Sequence, residues 1–257
     1  MYLIVRRRTI LLTAFLALAL IPALLSGTGR AEPLMLAEDL ADEIRVELND
    51  RASYVYSYRY PQADSADPSA ELINSFYRYC ADDAAGFEIP MNADYYRGQD
   101  PSEDITVRIT YTVTCNNDDF FSVLLRTEQG ELLTFAGHTF SRKDIKPGSS
   151  VALPYLLGLL ESDETDTWLQ DRQTAKADAL VREMVWDRLG DLTAENPEIR
   201  LPEAMEEEAL DYAFFPEEDF YLDETGNPVF YLQPGFVEGT DELLRFPISI
   251  EEILDEM

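Results

Sequence analysis

Residues Ile105–Phe140 read ITVRITYTVTCNNDDFFSVLLRTEQGELLTFAGHTF, and this run decides the fold class. Ile105, Val107, Ile109, Tyr111, Val113 and Cys115 alternate with Thr106, Arg108, Thr110, Thr112 and Thr114. A period of two with β-branched residues on both sides predicts a strand, with the first set facing a core. A polar turn at Asn116–Asp119 leads into FFSVLLRT, and Glu128–Gly130 turns the chain back into ELLTFAGHTF. Three strands joined by short turns predict an antiparallel meander.

Reading outward, IRVELNDRASYVYSYRYPQ (Ile44–Gln62) alternates and predicts one or two further strands. DPSAELINSFYRYC (Asp67–Cys80) predicts a helix: Asp67 can cap it, Pro68 suits a first turn, and Leu72, Ile73, Phe76, Tyr77 and Cys80 share a face. Gly86 to Pro101 reads as loop. Beyond the meander, a long helix is expected from about Thr165 to Leu189, stopped by Gly190. Its expected inner stripe is Leu169, Ala177, Leu180, Met184 and Leu189, with Trp168 at its start. A short acidic helix follows over Glu203–Leu210. Strands are expected at Phe220–Leu222, Val229–Leu232 and within LLRFPIS (Leu243–Ser249), and Ser249 with Glu252 signals a capped last helix. The sum is an α+β fold: antiparallel sheets with helices on one face, in two closely packed subdomains over 44–120 and 121–257.

The first residues are an address. Arg6, Arg7 and Arg8 precede an apolar run from Ile10 to Leu25, and Gly29 and Ala31 follow with the spacing of a cleavage site. Residues 1–31 therefore read as a secretory signal peptide cut after Ala31, or as an uncleaved membrane anchor. The protein is expected to be secreted or extracytoplasmic, free or tethered.

Charge narrows the partners. The chain carries 50 acidic and 20 basic residues, a formal net charge of −30. From Leu201 to Met257 there are 17 acidic residues against Arg245 alone. Such a balance argues against nucleic acid and against anionic membrane surfaces, both of which select basic patches. It suits a cationic partner, or it serves solubility alone. The acidic residues flanking the last hairpin, Glu206, Glu207, Glu208, Glu217, Glu218 and Asp219, are the expected capture surface, beside Tyr221 and Tyr231.

Catalytic patterns are sparse. His138 is the single histidine, which removes multi-histidine metal sites and leaves any Ser-His-Asp arrangement to this one residue. It reads as a structural or binding histidine. Fifty carboxylates offer no selection for a glycosidase pair, and ESDETDT (Glu161–Thr167) lacks the ligand spacing of a calcium loop. No cofactor is expected. Cys80 and Cys115 are either a disulfide, allowed in an oxidising compartment, or two buried thiols. Tyr54, Tyr56, Tyr58 and Tyr60 alternate on one strand face, as contact surface or as core.

Four stretches, RYPQ, ELINSFY, LLTFAGHTF and DFYLDETGNPVFYLQPGFVEGTDELLRFPI, resemble in this order a family of secreted bacterial domains of unknown function. That family includes the extracellular part of the lysozyme-responsive anti-sigma-V factor and domains found beside peptidoglycan deacetylases. The motifs are Tyr60-Pro61, Ile73-Asn74, Ala136-Gly137-His138 and the Gly-turned Tyr/Phe hairpin, and the likeness spans about Ile44 to Glu252. The resemblance implies extracytoplasmic binding rather than catalysis, with a cationic protein such as lysozyme, or a cell-wall component, as the partner. The chain departs from it in showing no cytoplasmic sigma-binding segment and no deacetylase ligands. A cell-wall glycan-active enzyme using paired carboxylates, or a structural envelope accessory protein, is the alternative.

Overall fold

The computed structural model describes residues 33–143, 146–161, 164–201 and 210–257. The signal or anchor segment and Glu206, Glu207 and Glu208 lie outside the described residues. Five strands, β1 (Leu40–Glu47), β2 (Ser53–Tyr60), β3 (Ile105–Asn116), β4 (Phe120–Gln129) and β5 (Leu132–Ser141), form one sheet in sequence order. The meander of β3, β4 and β5 is antiparallel as its turns require, and β1 pairs antiparallel with β2. Between them β2 runs parallel to β3, Tyr54 opposite Ile105 and Tyr58 opposite Ile109. The sheet is therefore mixed, not antiparallel throughout. A parallel pair needs a crossover, and the helical segment between β2 and β3 supplies it.

That crossover is longer than its composition suggests. Helix α1 (Ala70–Asp83) continues through a π turn (Ala84–Glu88) into α2 (Ile89–Arg97), where a loop was expected. Gly86 and Pro90 read as breakers, yet neither breaks the helix. The π turn absorbs Gly86, with Ile89 N donating to Ala84 O five residues back, and Pro90 falls in the first turn of α2, where a missing N–H costs least. Ile73, Tyr77, Ala81, Ala84, Ile89 and Ala93 press this helix onto Tyr54, Tyr56, Tyr58, Tyr60, Val107, Ile109, Phe121 and Val123.

A second, antiparallel sheet holds β6 (Phe220–Leu222), β7 (Pro228–Leu232) and β8 (Leu244–Pro247). Strand β4 shows why both sheets are needed. Phe121, Val123 and Leu125 face the crossover helices, while Leu124 joins Tyr221, Val229, Tyr231 and Leu243 on the other side. Buried on both faces, β4 reads as a continuous apolar run. The far face of the second sheet, with Phe220, Leu222, Phe230, Leu232, Leu244 and Phe246, packs with Ala177, Val181, Val185 and Leu189 of the long helix α4 (Thr167–Glu195). Among the described residues there are three further short helices: α3 (Leu153–Leu156), α5 (Leu210–Ala213) and α6 (Ile250–Asp255). Ser249 caps α6, its Oγ accepting from Glu252 N at 3.1 Å.

Helix α4 corrects two expectations. Asp166 caps it, accepting from the amides of Trp168 and Leu169, and it runs through Gly190 to Asn196. One helical glycine costs only about 1 kcal/mol, too little to stop a helix anchored by Leu189. The buried stripe is Ala177, Val181, Val185 and Leu189, turned about one residue from the expected one, with Asp178 beside it. The expected subdomain boundary at 120/121 falls inside β4, one residue past its start, and β4 is paired with β3 within one sheet. The described residues belong to one compact unit.

Candidate functional site

The hairpin residues expected at the surface are internal. Tyr221 and Tyr231 are buried, stack with ring centroids 6.2 Å apart, and fill the space between the two sheets with Leu124 and Phe135. The Tyr231 hydroxyl accepts from Gly137 N at 2.8 Å, and Gln233 brackets Phe135, accepting from its N–H and donating to its carbonyl. These side chains close the open edge of β5, which would otherwise offer unpaired backbone to another chain. Asp219 is buried too, and its Oδ2 accepts from Phe215 N at 2.8 Å. Of the described acidic residues assigned to capture, Glu218 alone is exposed, and Glu217 is half-buried. The hairpin is a folding element.

The tyrosine row is core as well. Tyr54, Tyr56, Tyr58 and Tyr60 are all buried under the crossover helix. Their hydroxyls are met where the helix can reach them: Asn92 donates to Tyr54, and Tyr56 donates to Glu88 at 3.3 Å. Burial pushes Tyr54 up to about 12 and raises Glu88 above the ordinary carboxylate range. His138, on β5, packs edge-on against Phe76 with centroids 4.9 Å apart and lies 3.4 Å from the Tyr77 hydroxyl. Burial lowers its pKa to about 4, so the ring is neutral at pH 7. Among the described residues, the hydrogen-bond and ring partners of His138 are Tyr77 and Phe76, both aromatic.

The cysteines part company at a β-bulge. Val113 pairs with Val123 and Cys115 with Ser122, leaving Thr114 as the extra residue. One added residue flips every later side chain to the opposite face. Cys115 therefore belongs to the core around α4, while Cys80 on α1 packs against the other core. Both are free thiols, and burial raises each to about 11. The disulfide reading fails on this geometry. Intact-mass measurement of the denatured, non-reduced protein after alkylation is expected to show two modified thiols; a mass two hydrogen atoms lighter with no label would contradict the bulge.

What the surface does offer is a ridge on the outer side of the crossover helix. Leu72, Tyr79, Phe87 and Tyr95 are exposed, the three aromatics at 60%, 62% and 63%. The spacings are seven, eight and eight residues, near two helical turns each, and the wider π turn accommodates the extra residue between Tyr79 and Phe87. At 1.5 Å per residue the ridge is about 35 Å long. Exposed carboxylates of Glu71, Asp82, Asp83 and Asp94 stand beside it, and Asp94 is paired with Arg97. Monomer surfaces show single exposed apolar residues routinely, but large aromatics repeated along one helical face mark contact surfaces. A helical reading of 70–97 would have revealed this ridge from sequence; the loop reading of Gly86–Pro101 hid it.

One carboxyl is buried elsewhere. Asp178 of α4 is 6% exposed, and burial, with Glu217 nearby, pushes its carboxyl up to about 8. Among the described residues no group of three or more His, Cys, Asp or Glu side chains is placed to hold a metal. Among them, too, no helix is long and apolar enough to cross a membrane.

No protein-family model and no curated protein matches the chain. Among solved structures it is similar to the crystal structure of a member of the DUF3298 family from Bacteroides fragilis. The identity is 12% and the TM-score 0.43, over 87% of this chain and 94% of that one. No residue role is carried across a likeness of that size.

Proposed function

We propose that this protein is an exported, non-catalytic, envelope-associated binding protein that recognises a cationic extracellular protein of the lysozyme type. The observation that carries the reading is the ridge of Tyr79, Phe87 and Tyr95 set among carboxylates, on a chain of net charge −30. Tyrosine and phenylalanine supply contact area at low entropic cost, and the surrounding charge draws a basic partner in from solution. The N-terminal address and the family resemblance support the same location and partner class.

Binding of the protein to a lysozyme, to peptidoglycan fragments and to a neutral control protein, each across a salt series, tests this. The triple substitution Tyr79→Ala, Phe87→Ala, Tyr95→Ala is expected to weaken lysozyme binding by about tenfold or more, as loss of aromatic anchors does. Exposed charges are screened beyond about 10 Å at 0.1 M salt, so the association rate should fall as salt rises while dissociation changes less. Unchanged affinity in the triple variant would remove the ridge from the interface. Hydrolysis of wall glycan by the protein would instead favour the enzyme reading.

A further inference from the structure

We infer that β1 is the docking strand for a second copy of this chain: two β1 strands pair antiparallel about a two-fold axis at Ile44 and join two five-stranded sheets into one. The two edges of the sheet differ. At β5 the side chains of Gln233 and Tyr231 meet the backbone, whereas β1 lies at the opposite edge with Ala41, Asp42, Glu43, Arg45 and Glu47 exposed. Strand β1 holds no proline and pairs with β2 without a bulge from Leu40 to Glu47. Two bonds mark which backbone groups point away from β2. Glu43 N donates to Asp42 Oδ1 at 2.8 Å, and Glu47 O accepts from Arg97 at 3.1 Å, so neither group is spent on the neighbouring strand. Alternate residues of an antiparallel ladder turn their N–H and C=O outward, which makes Ala41, Glu43, Arg45 and Glu47 the outward set. A straight edge of this length is a template for an added strand.

Charge selects the occupant. Charged side chains on an edge strand ordinarily keep other strands off. Those of β1 oppose every arrangement but one. A two-fold pair sets outward residues against outward residues, and the register centred on Ile44 sets Glu43 of each copy against Arg45 of the other. Shifting it by two residues one way brings Glu43 against Glu43; the other way it brings Arg45 against Arg45 and Glu43 against Glu47. A shift of four residues brings Asp42 against Asp42 or, in the other direction, overlaps less than half of the strand. Only the register centred on Ile44 is free of like charges, and a one-residue slip would set outward groups against inward ones. Arg45 already meets Asp104 at 3.0 Å, but a guanidinium carries five N–H donors and can take a second carboxylate. On the other face of the strand Leu40, Ile44 and Val46 rest on the core yet stay half-buried, and at the axis the two Ile44 side chains cover each other. The same patch serves both copies and each β1 is used up, so the assembly closes at two.

Sedimentation equilibrium of the purified protein up to about 100 μM tests this, at about 0.15 M salt, where a screening length of about 8 Å limits repulsion between two copies of net charge −30. A reversible dimer is expected. Glu43→Arg and Arg45→Glu each set like charges together twice per dimer and should weaken it by about tenfold or more, while the double exchange Glu43→Arg with Arg45→Glu should restore it. Both positions are exposed, so the fold should persist, and Glu43→Arg leaves the Arg45–Asp104 pair in place. Register is read by mild oxidation. Ile44→Cys puts two thiols on the axis at a non-hydrogen-bonded pair, with Cα atoms about 4.5 Å apart and within disulfide reach. Asp42→Cys puts them about 13 Å apart, four residues along the strand, and should not cross-link. A monomer at every concentration would overturn the proposal. So would a dimer indifferent to the single charge changes, a double exchange no better than either single one, or cross-linking through Asp42→Cys in place of Ile44→Cys.

Discussion

Substituting Gly137 is expected to be severely damaging to this protein. A Cβ at this position would overlap the Phe220 carbonyl oxygen and come 2.7 Å from its carbonyl carbon. Neither backbone can retreat. Gly137 is paired with Leu124 in the sheet and donates to Tyr231, while Phe220 is paired with Phe230 and sits in the core against α4. Glycine is needed here because two backbones touch, with no demand for a left-handed conformation. Gly137→Ala should cost more than about 4 kcal/mol, the range of severe core overpacking, and Gly137→Val should leave no folded protein. Gly190→Ala is the control: nothing lies within 4 Å of its Cβ, and alanine in a helix should add about 0.5–1 kcal/mol. Denaturant unfolding of the two alanine variants decides the matter, and a Gly137→Ala midpoint close to wild type would show that the sheets do not approach as described.

The second large effect is expected at Arg142. Its side chain is 5% exposed and meets Asp67, 16% exposed, at 2.9 Å, while its other terminal nitrogen donates to the Asn117 carbonyl. Asp67 in turn accepts from Ser69 N at the approach to α1, so the pair ties the end of β5 to the start of the crossover helix. A buried pair contributes little against a well-packed apolar replacement, yet breaking one partner strands the other charge. Arg142→Met should cost about 3–5 kcal/mol by that argument, and the double variant with Asp67→Asn should cost less than the sum of the two single changes. A double-mutant cycle of unfolding free energies gives the coupling directly. An Arg142→Met loss below about 1 kcal/mol would mean that the pair is effectively solvated.

How far each element could be read depends on the range of the forces that define it. The meander over Ile105–Phe140, the β1–β2 hairpin and the Ser249 cap are written in alternation, turn residues and capping residues, which act within a few positions of themselves. The sequence alone therefore determined most of the described element types and the α+β class, the helical stretch over 86–97 excepted. It also determined the acidity that any partner must meet. Tertiary packing decided the rest. The direction of β2 against β3 follows from how the crossover helix lies on the sheet, which no local signal carries. The face of Cys115 turns on a one-residue bulge, and alternation in a strand has no way to announce it. Tyr221 and Tyr231 alternate as a half-exposed hairpin would, but a second apolar layer covers both faces and turns an expected contact surface into core. Asp178 is one among fifty acids until the chain folds and removes water from around it. Burial and proximity are properties of the packed whole, and they set which acids keep a proton and which aromatics are left outside.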